Sequence, residues 1–164
     1  MRNDIVVFGS GEINGGDYCE IKAQGSIKVK SNIVFQKIQV FGKLDCNSNL
    51  FGDEVCLTGS IEGNSNIKTN RTIISFFSNS TCKEIESNII KIAPKKHYFL
   101  KNRVFFCERI SGNDVFVSNV VAKTICGKNI CVDGECHIRE LKYWGTCTIS
   151  EQSTVDNIVK LENI

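Results

Sequence analysis

Cys126, Cys131, Cys136 and His137 crowd into one short stretch, and they are the residue types that hold zinc. Zinc-binding chains usually set their thiolates in close C-x2-C pairs, whereas the step here is five, the length of a short strand and its corner. Cys136 and Cys147 also fall where apolar side chains are expected, Cys147 standing seventeen positions after Ile130. These cysteines therefore read as small apolar side chains, and no metal is expected. The two histidines, His97 and His137, have no acid or nucleophile near them in sequence with which to share a proton. Asp53 and Glu54 are adjacent corner residues rather than a facing pair, and no glycine-rich phosphate loop precedes a helix. The expectation is a protein without catalytic residues, cofactor or small-molecule substrate.

Two further stretches invite contact with something else. "PKKHYFLKNR" mixes Lys95, Lys96, Lys101 and Arg103 with Tyr98 and Phe99, and reads as a solvated loop with an aromatic anchor more readily than as a lipid-binding patch. In the pairs Phe76-Phe77 and Phe105-Phe106, strand alternation turns one ring inward and the other outward.

The totals narrow the classes. A formal charge of +2 over 164 residues announces no nucleic-acid partner. No apolar run reaches the roughly 18 residues of a membrane span, and Met1 to Ser10 lacks the pattern of a secretory signal, so a cytoplasmic protein is expected. Nine cysteines is an odd number, and without an export signal they read as reduced thiols. Thirteen glycines against one proline, with abundant Ile and Val, favour strands and turns over long helices.

What would position these residues is set by a repeat. Ser31-Asn32-Ile33, Ser48-Asn49-Leu50 and Ser65-Asn66-Ile67 recur at a constant step of seventeen, as do Gly25, Gly42 and Gly59. Ile27, Leu44 and Ile61 keep that step, and so do Ile21, Ile38 and Val55, and Ala23, Val40 and Leu57. Within one period the apolar residues fall in alternating pairs, Ile21 and Ala23, Ile27 and Val29, Ile33 and Phe35, each followed by residues that tolerate corners. Three short strands and three corners make a triangular coil. Stacking coils at about 4.8 Å lays each column upon itself, forming ladder and core together, and lets Asn32, Asn49 and Asn66 join as a side-chain ladder. About nine coils of a single elongated all-β domain, residues 1–164, follow, a rod of roughly 45 Å.

The later residues resume the rhythm with Val115, Val132 and Ile149; with Val104, Val121, Ile138 and Val155; and with Leu141 and Ile158. Between the halves the phase slips. Ile73 and Ile90 keep the step out of register with the first block, and residues 93–103 fit no column and read as an irregular segment in which Pro94 breaks a ladder.

At this point the chain resembles the bactofilins, polymer-forming cytoskeletal proteins of bacteria, in particular the form found in Firmicutes. The resemblance rests on "GSGEINGGDY" (Gly9 to Tyr18), "GSIKV" from Gly25, "GSIEG" from Gly59, and on Asp114-Val115-Phe116-Val117, Ile130-Cys131-Val132, Cys136-His137-Ile138 and Leu141-Lys142-Tyr143. It implies a right-handed parallel β-helix that joins end to end into non-polar filaments without nucleotide. It further implies a scaffold role in cell envelope, shape or motility, with itself as the main partner and membrane or envelope and motility proteins as others, at the inner face of the membrane.

A stack of coils has two raw ends. Ile5, Val6, Val7 and Phe8 read as a first strand, and Val155, Ile158, Val159 and Leu161 as a last strand or a short capping helix, so these eight residues are the candidate assembly ends. Docking like ends about a two-fold axis gives a filament without polarity. The competing reading is a hexapeptide-repeat acyltransferase on a left-handed coil, a class that places a catalytic histidine between subunits and makes His137→Ala the discriminating variant; its strict six-residue step asks for three equal sides per turn, whereas the third side here is shorter by one.

Overall fold

The computed structural model describes residues 2–96 and 103–162, and in them every element is a strand. Eight long strands come first: β1 (Asn3–Ile13), β2 (Gly16–Val29), β3 (Ile33–Cys46), β4 (Asn49–Glu62), β5 (Asn66–Phe76), β6 (Ser80–Pro94), β7 (Phe105–Ser118) and β8 (Val120–Asp133). Three shorter ones follow, β9 (His137–Tyr143), β10 (Cys147–Ile149) and β11 (Thr154–Lys160). All pairings are parallel: β1 through β9 lie in chain order, β10 pairs with β8 and β11 with β9. The molecule is a β-solenoid of about nine turns, each long strand being one coil bent at its corners. No helix long and apolar enough to cross a membrane occurs among the described residues.

The corners are visible as interruptions of register. Pairing skips Cys19 and Gln36 between β2 and β3, and Gln36 and Asp53 between β3 and β4, which places Asp53 at a corner. A second corner is the glycine column. Gly25, Gly42 and Gly59 have φ of 130°, 139° and 143°, and a Cβ on any of them would run into the carbonyl oxygen of the glycine one coil below. Here glycine is required twice over, by its dihedral and by the close approach of stacked backbones. The third corner is the break at residues 30–32 and its equivalents. At Ser-Asn, Asn66 Nδ2 donates to Asn49 Oδ1 at 2.9 Å, so the expected side-chain ladder joins these two, whereas Asn32 Oδ1 accepts from the Asn49 backbone N–H at 2.9 Å instead of from its side chain.

Ile27, Leu44 and Ile61 are register partners, each 1% exposed or less, and they pile up in one interior line as the repeat requires. One long column runs Ile33, Leu50, Ile67, Ile85, Ile110, Ile125, Leu141, Ile158. Its steps are not uniform: after two of seventeen come eighteen, twenty-five, fifteen, sixteen and again seventeen, read from those residue numbers. This corrects the columns inferred from a constant step between β5 and β9, while the last pairs, Val132–Ile149, Ile138–Val155 and Leu141–Ile158, keep the step of seventeen as expected. Val115 lies on Ile130, while Val132 and Ile149 belong with Val117. Ile138 and Val155 lie on Ala122, and Val121 faces outward over His137. Ile73 and Ile90 do not share a column either: Ile73 pairs with Lys91, and the interior site above Val55 and below Ile90 is filled by Thr72. The reason is physical. Corners absorb extra or missing residues, whereas the walls must keep their alternation, so chain length between equivalent sites drifts while the columns stay straight.

Thr72 is fully buried, and its hydroxyl is satisfied in a ring of three: 2.8 Å to Thr69 Oγ1 and 2.7 Å to Ser87 Oγ, with Thr69 and Ser87 2.6 Å apart. A polar group can enter the core because this network replaces the water it left. Pro94 ends β6. It is paired below with Phe76, while the ladder toward β7 stops at Ile92, two residues earlier. Residues 97–102, and with them His97, Tyr98, Phe99 and Lys101, lie outside the described residues.

Candidate functional site: the ends of the solenoid and its outer faces

β1 pairs with β2 alone, so among the described residues its other edge carries a row of unpaired N–H and C=O groups. Ile5 and Val7 point inward over Ile21 and Ala23 and are half-buried, as first members of their columns. Val6 and Phe8 point outward, 59% and 75% exposed. The four residues expected at this end thus divide by alternation into two that floor the core and two that are apolar on the surface.

At the opposite end, β11 is a strand, which decides between the two readings of residues 155–161. Val155 continues the column of Ile138, and Ile158 that of Leu141. Ile158 is 49% exposed because no coil covers it among the described residues. Val159 sits over Lys142 on an outer wall, and the Leu161 N–H donates to the Tyr143 carbonyl at 2.7 Å. Ile158 and Val155, with Cys147 and Ile149 as the last members of their columns on β10, are therefore the apolar cross-section at this end, and Val159 belongs to its rim.

Between the ends, the cysteines point in different directions. Cys131 stacks outward between Phe116 and Thr148, Cys126 between Ser111 and Lys142, and Cys147 inward on Ile130. Cys136 is buried; its sulfur accepts from the Val120 N–H at 3.4 Å and donates to the Asp133 carbonyl at 3.3 Å, and burial pushes its thiol up. No group of three or more metal-ligating side chains assembles among the described residues. His137 is exposed beside the buried Ile138. Glu54 is held below the usual carboxylate range by the hydrogen bond from Cys56, 3.0 Å away, and by Lys37 and Arg71.

The aromatic pairs split as alternation requires, Phe76 and Phe105 fully buried in contact with each other, Phe77 and Phe106 turned outward. Phe77 meets Phe41 edge to face at 6.2 Å, and Lys95 lies over both rings, 5.3 and 5.7 Å from their centroids. The basic stretch is thereby tied down at its start by a cation on two π faces. Sequence reasoning missed two features: the Thr69–Thr72–Ser87 ring, and Cys82 stacked directly on Cys107. In the first, Thr72 stands seventeen after Val55 but is polar where the column is apolar, and the second pair is separated by more than one period of chain.

No family model, curated protein or solved structure matches the chain.

Proposed function

We propose that the protein is a self-assembling structural scaffold whose solenoids join through their ends into filaments, in the manner its resemblance to the bactofilins implies. The observation that carries this reading is the pair of open coils. β1 offers an unpaired backbone edge above Ile5 and Val7, and the last coil offers Val155 and Ile158. An incoming identical coil satisfies the backbone groups and buries the side chains in one step, which is how a β edge recruits its partner. The walls support the same reading. They carry exposed or half-exposed ion pairs, such as Lys30–Glu12 at 2.7 Å and Lys43–Glu62 at 2.9 Å, which keep the flanks solvated while the ends associate. A right-handed coil, a bacterial cytoplasmic setting at the inner membrane face, and envelope or motility partners complete the proposal, with no reaction catalysed.

Negative-stain microscopy and light scattering of the purified chain test it. Filaments of solenoid width, formed without nucleotide, are the expected result, and a strict monomer at high concentration overturns it. The constant step of the first coils, one short of three equal six-residue sides, favours this reading over a hexapeptide acyltransferase; saturable binding of acyl-coenzyme A, lost in His137→Ala, would reverse that preference.

A further inference from the structure

Cys82 and Cys107 are the single pair of cysteines that are direct register partners among the described residues. They belong to the same interior column, both 5% exposed, at the floor of a surface groove walled by Thr81, Phe106, Lys123 and His137. Partners in adjacent parallel strands stand about 4.8 Å apart, inside the Cα window of roughly 4.4–6.8 Å that a disulfide spans. Side chains on stacked coils run side by side, so their Cβ atoms start a little farther apart than the roughly 3.5–4.5 Å a disulfide prefers, and closing the bond draws the two coils together. We propose that Cys82 and Cys107 form a reversible disulfide that locks β6 to β7.

The junction makes the lock consequential. It is the place where the column step is longest, twenty-five residues from Ile85 to Ile110. A bond between Cys82 and Cys107 closes a loop of that same length, restricting the unfolded chain and tying the two halves of the solenoid covalently. A bond formed under strain is the kind that cellular thiols reduce, which suits a switch rather than a permanent staple. Backbone carbonyls hold both thiols in place, the Cys82 Sγ donating to the Ser65 carbonyl at 3.2 Å and the Cys107 Sγ to the Arg109 carbonyl at 3.3 Å. Cys82, whose sulfur also meets the Ser65 hydroxyl at 3.5 Å, is assigned as the first thiol to react. With a small oxidant of the peroxide class, its thiolate attacks one peroxide oxygen and becomes a sulfenic acid, releasing the other oxygen as water once protonated. The Cys107 sulfur then attacks the Cys82 sulfur, loses its proton, and expels the hydroxyl as a second water. Two thiols are oxidised by two electrons and one hydrogen peroxide is reduced to two waters.

The test is non-reducing peptide mapping by mass spectrometry of the full chain, fully reduced and then exposed to dilute hydrogen peroxide, with free thiols alkylated. The expected result is a monomer lighter by two hydrogen atoms, a linked peptide joining Cys82 to Cys107, and reversal by dithiothreitol. The link should disappear in Cys107→Ser and persist in Cys131→Ser, whose thiol faces outward. The oxidised chain should melt about 5 °C or more above the reduced one, a gain absent from Cys107→Ser. Linked peptides joining other cysteines, Cys82 oxidised without a link, or an oxidised chain that melts no higher than the reduced one would each overturn the proposal.

Discussion

The single residue that best exposes the logic of this fold is Gly42, whose φ of 139° and stacked carbonyl neighbours leave no room for a side chain. Gly42→Ala should destabilise the protein by about 1–3 kcal/mol, read as a lower urea midpoint with an unchanged slope. Cys46 illustrates a different constraint. It is 1% exposed, and burial pushes its thiol up to about 11 from an ordinary value near 9. Because the folded state holds this proton more tightly than the unfolded chain, the associated stability is complete below pH 9 and is lost as pH rises toward 11. Cys56, Cys136 and Cys147 are raised in the same direction by burial and add to the trend. Urea midpoints should thus fall between pH 9 and 11, and Cys46→Val should fall less steeply, since valine keeps the volume and removes the proton.

Elements obey a rule that residues alone do not reveal: walls are rigid in register and corners are elastic in length. The interior column tolerates steps ranging from fifteen to twenty-five because every added or deleted residue is confined to a corner or to the segment between β6 and β7. An alanine inserted between Gln39 and Val40 would turn Val40 outward and Phe41 inward, reversing the faces of everything to the next corner. That variant should not reach a cooperative folded state by circular dichroism and thermal melting. The same alanine inserted between Lys30 and Ser31 falls at a corner; the chain already accepts one extra residue between Ile67 and Ile85, so this variant should melt only a few degrees lower. The contrast between the two insertions measures how much of the fold resides in alternation.

For the molecule as a whole, the consequence of stacking is that no coil is self-sufficient, and among the described residues the first and last lack a neighbour on one side. If filaments form through those ends, Val7→Asp places an uncompensated charge where the first interior column must be covered, and Ile158→Lys does so at the other end. Each should shorten filaments sharply in electron micrographs while leaving the melting of the isolated solenoid nearly unchanged, because both positions are already half-exposed or more. Assembly through backbone pairing and apolar contact should also survive salt at about 1 M, where ion pairs between surfaces are screened within roughly 3 Å. Dissolution of filaments by salt would point instead to the charged flanks.

What the amino-acid sequence settled alone was the local rule: alternating apolar pairs, corner residues, and the columns through Gly42, Leu44 and Val40 as far as β5. Such signals repeat at a constant interval because the first coils have identical lengths. Tertiary structure alone decided how register passes from Ile67 through β6, β7 and β8 to β9, where Ser87 closes the ring on Thr72 and Cys107 comes to rest on Cys82; the last pairs, Val132–Ile149, Ile138–Val155 and Leu141–Ile158, return to the step of seventeen. The reason is that contact across coils depends on register, and register is kept by packing whole walls against one another, a constraint that counting residues through an elastic corner cannot recover.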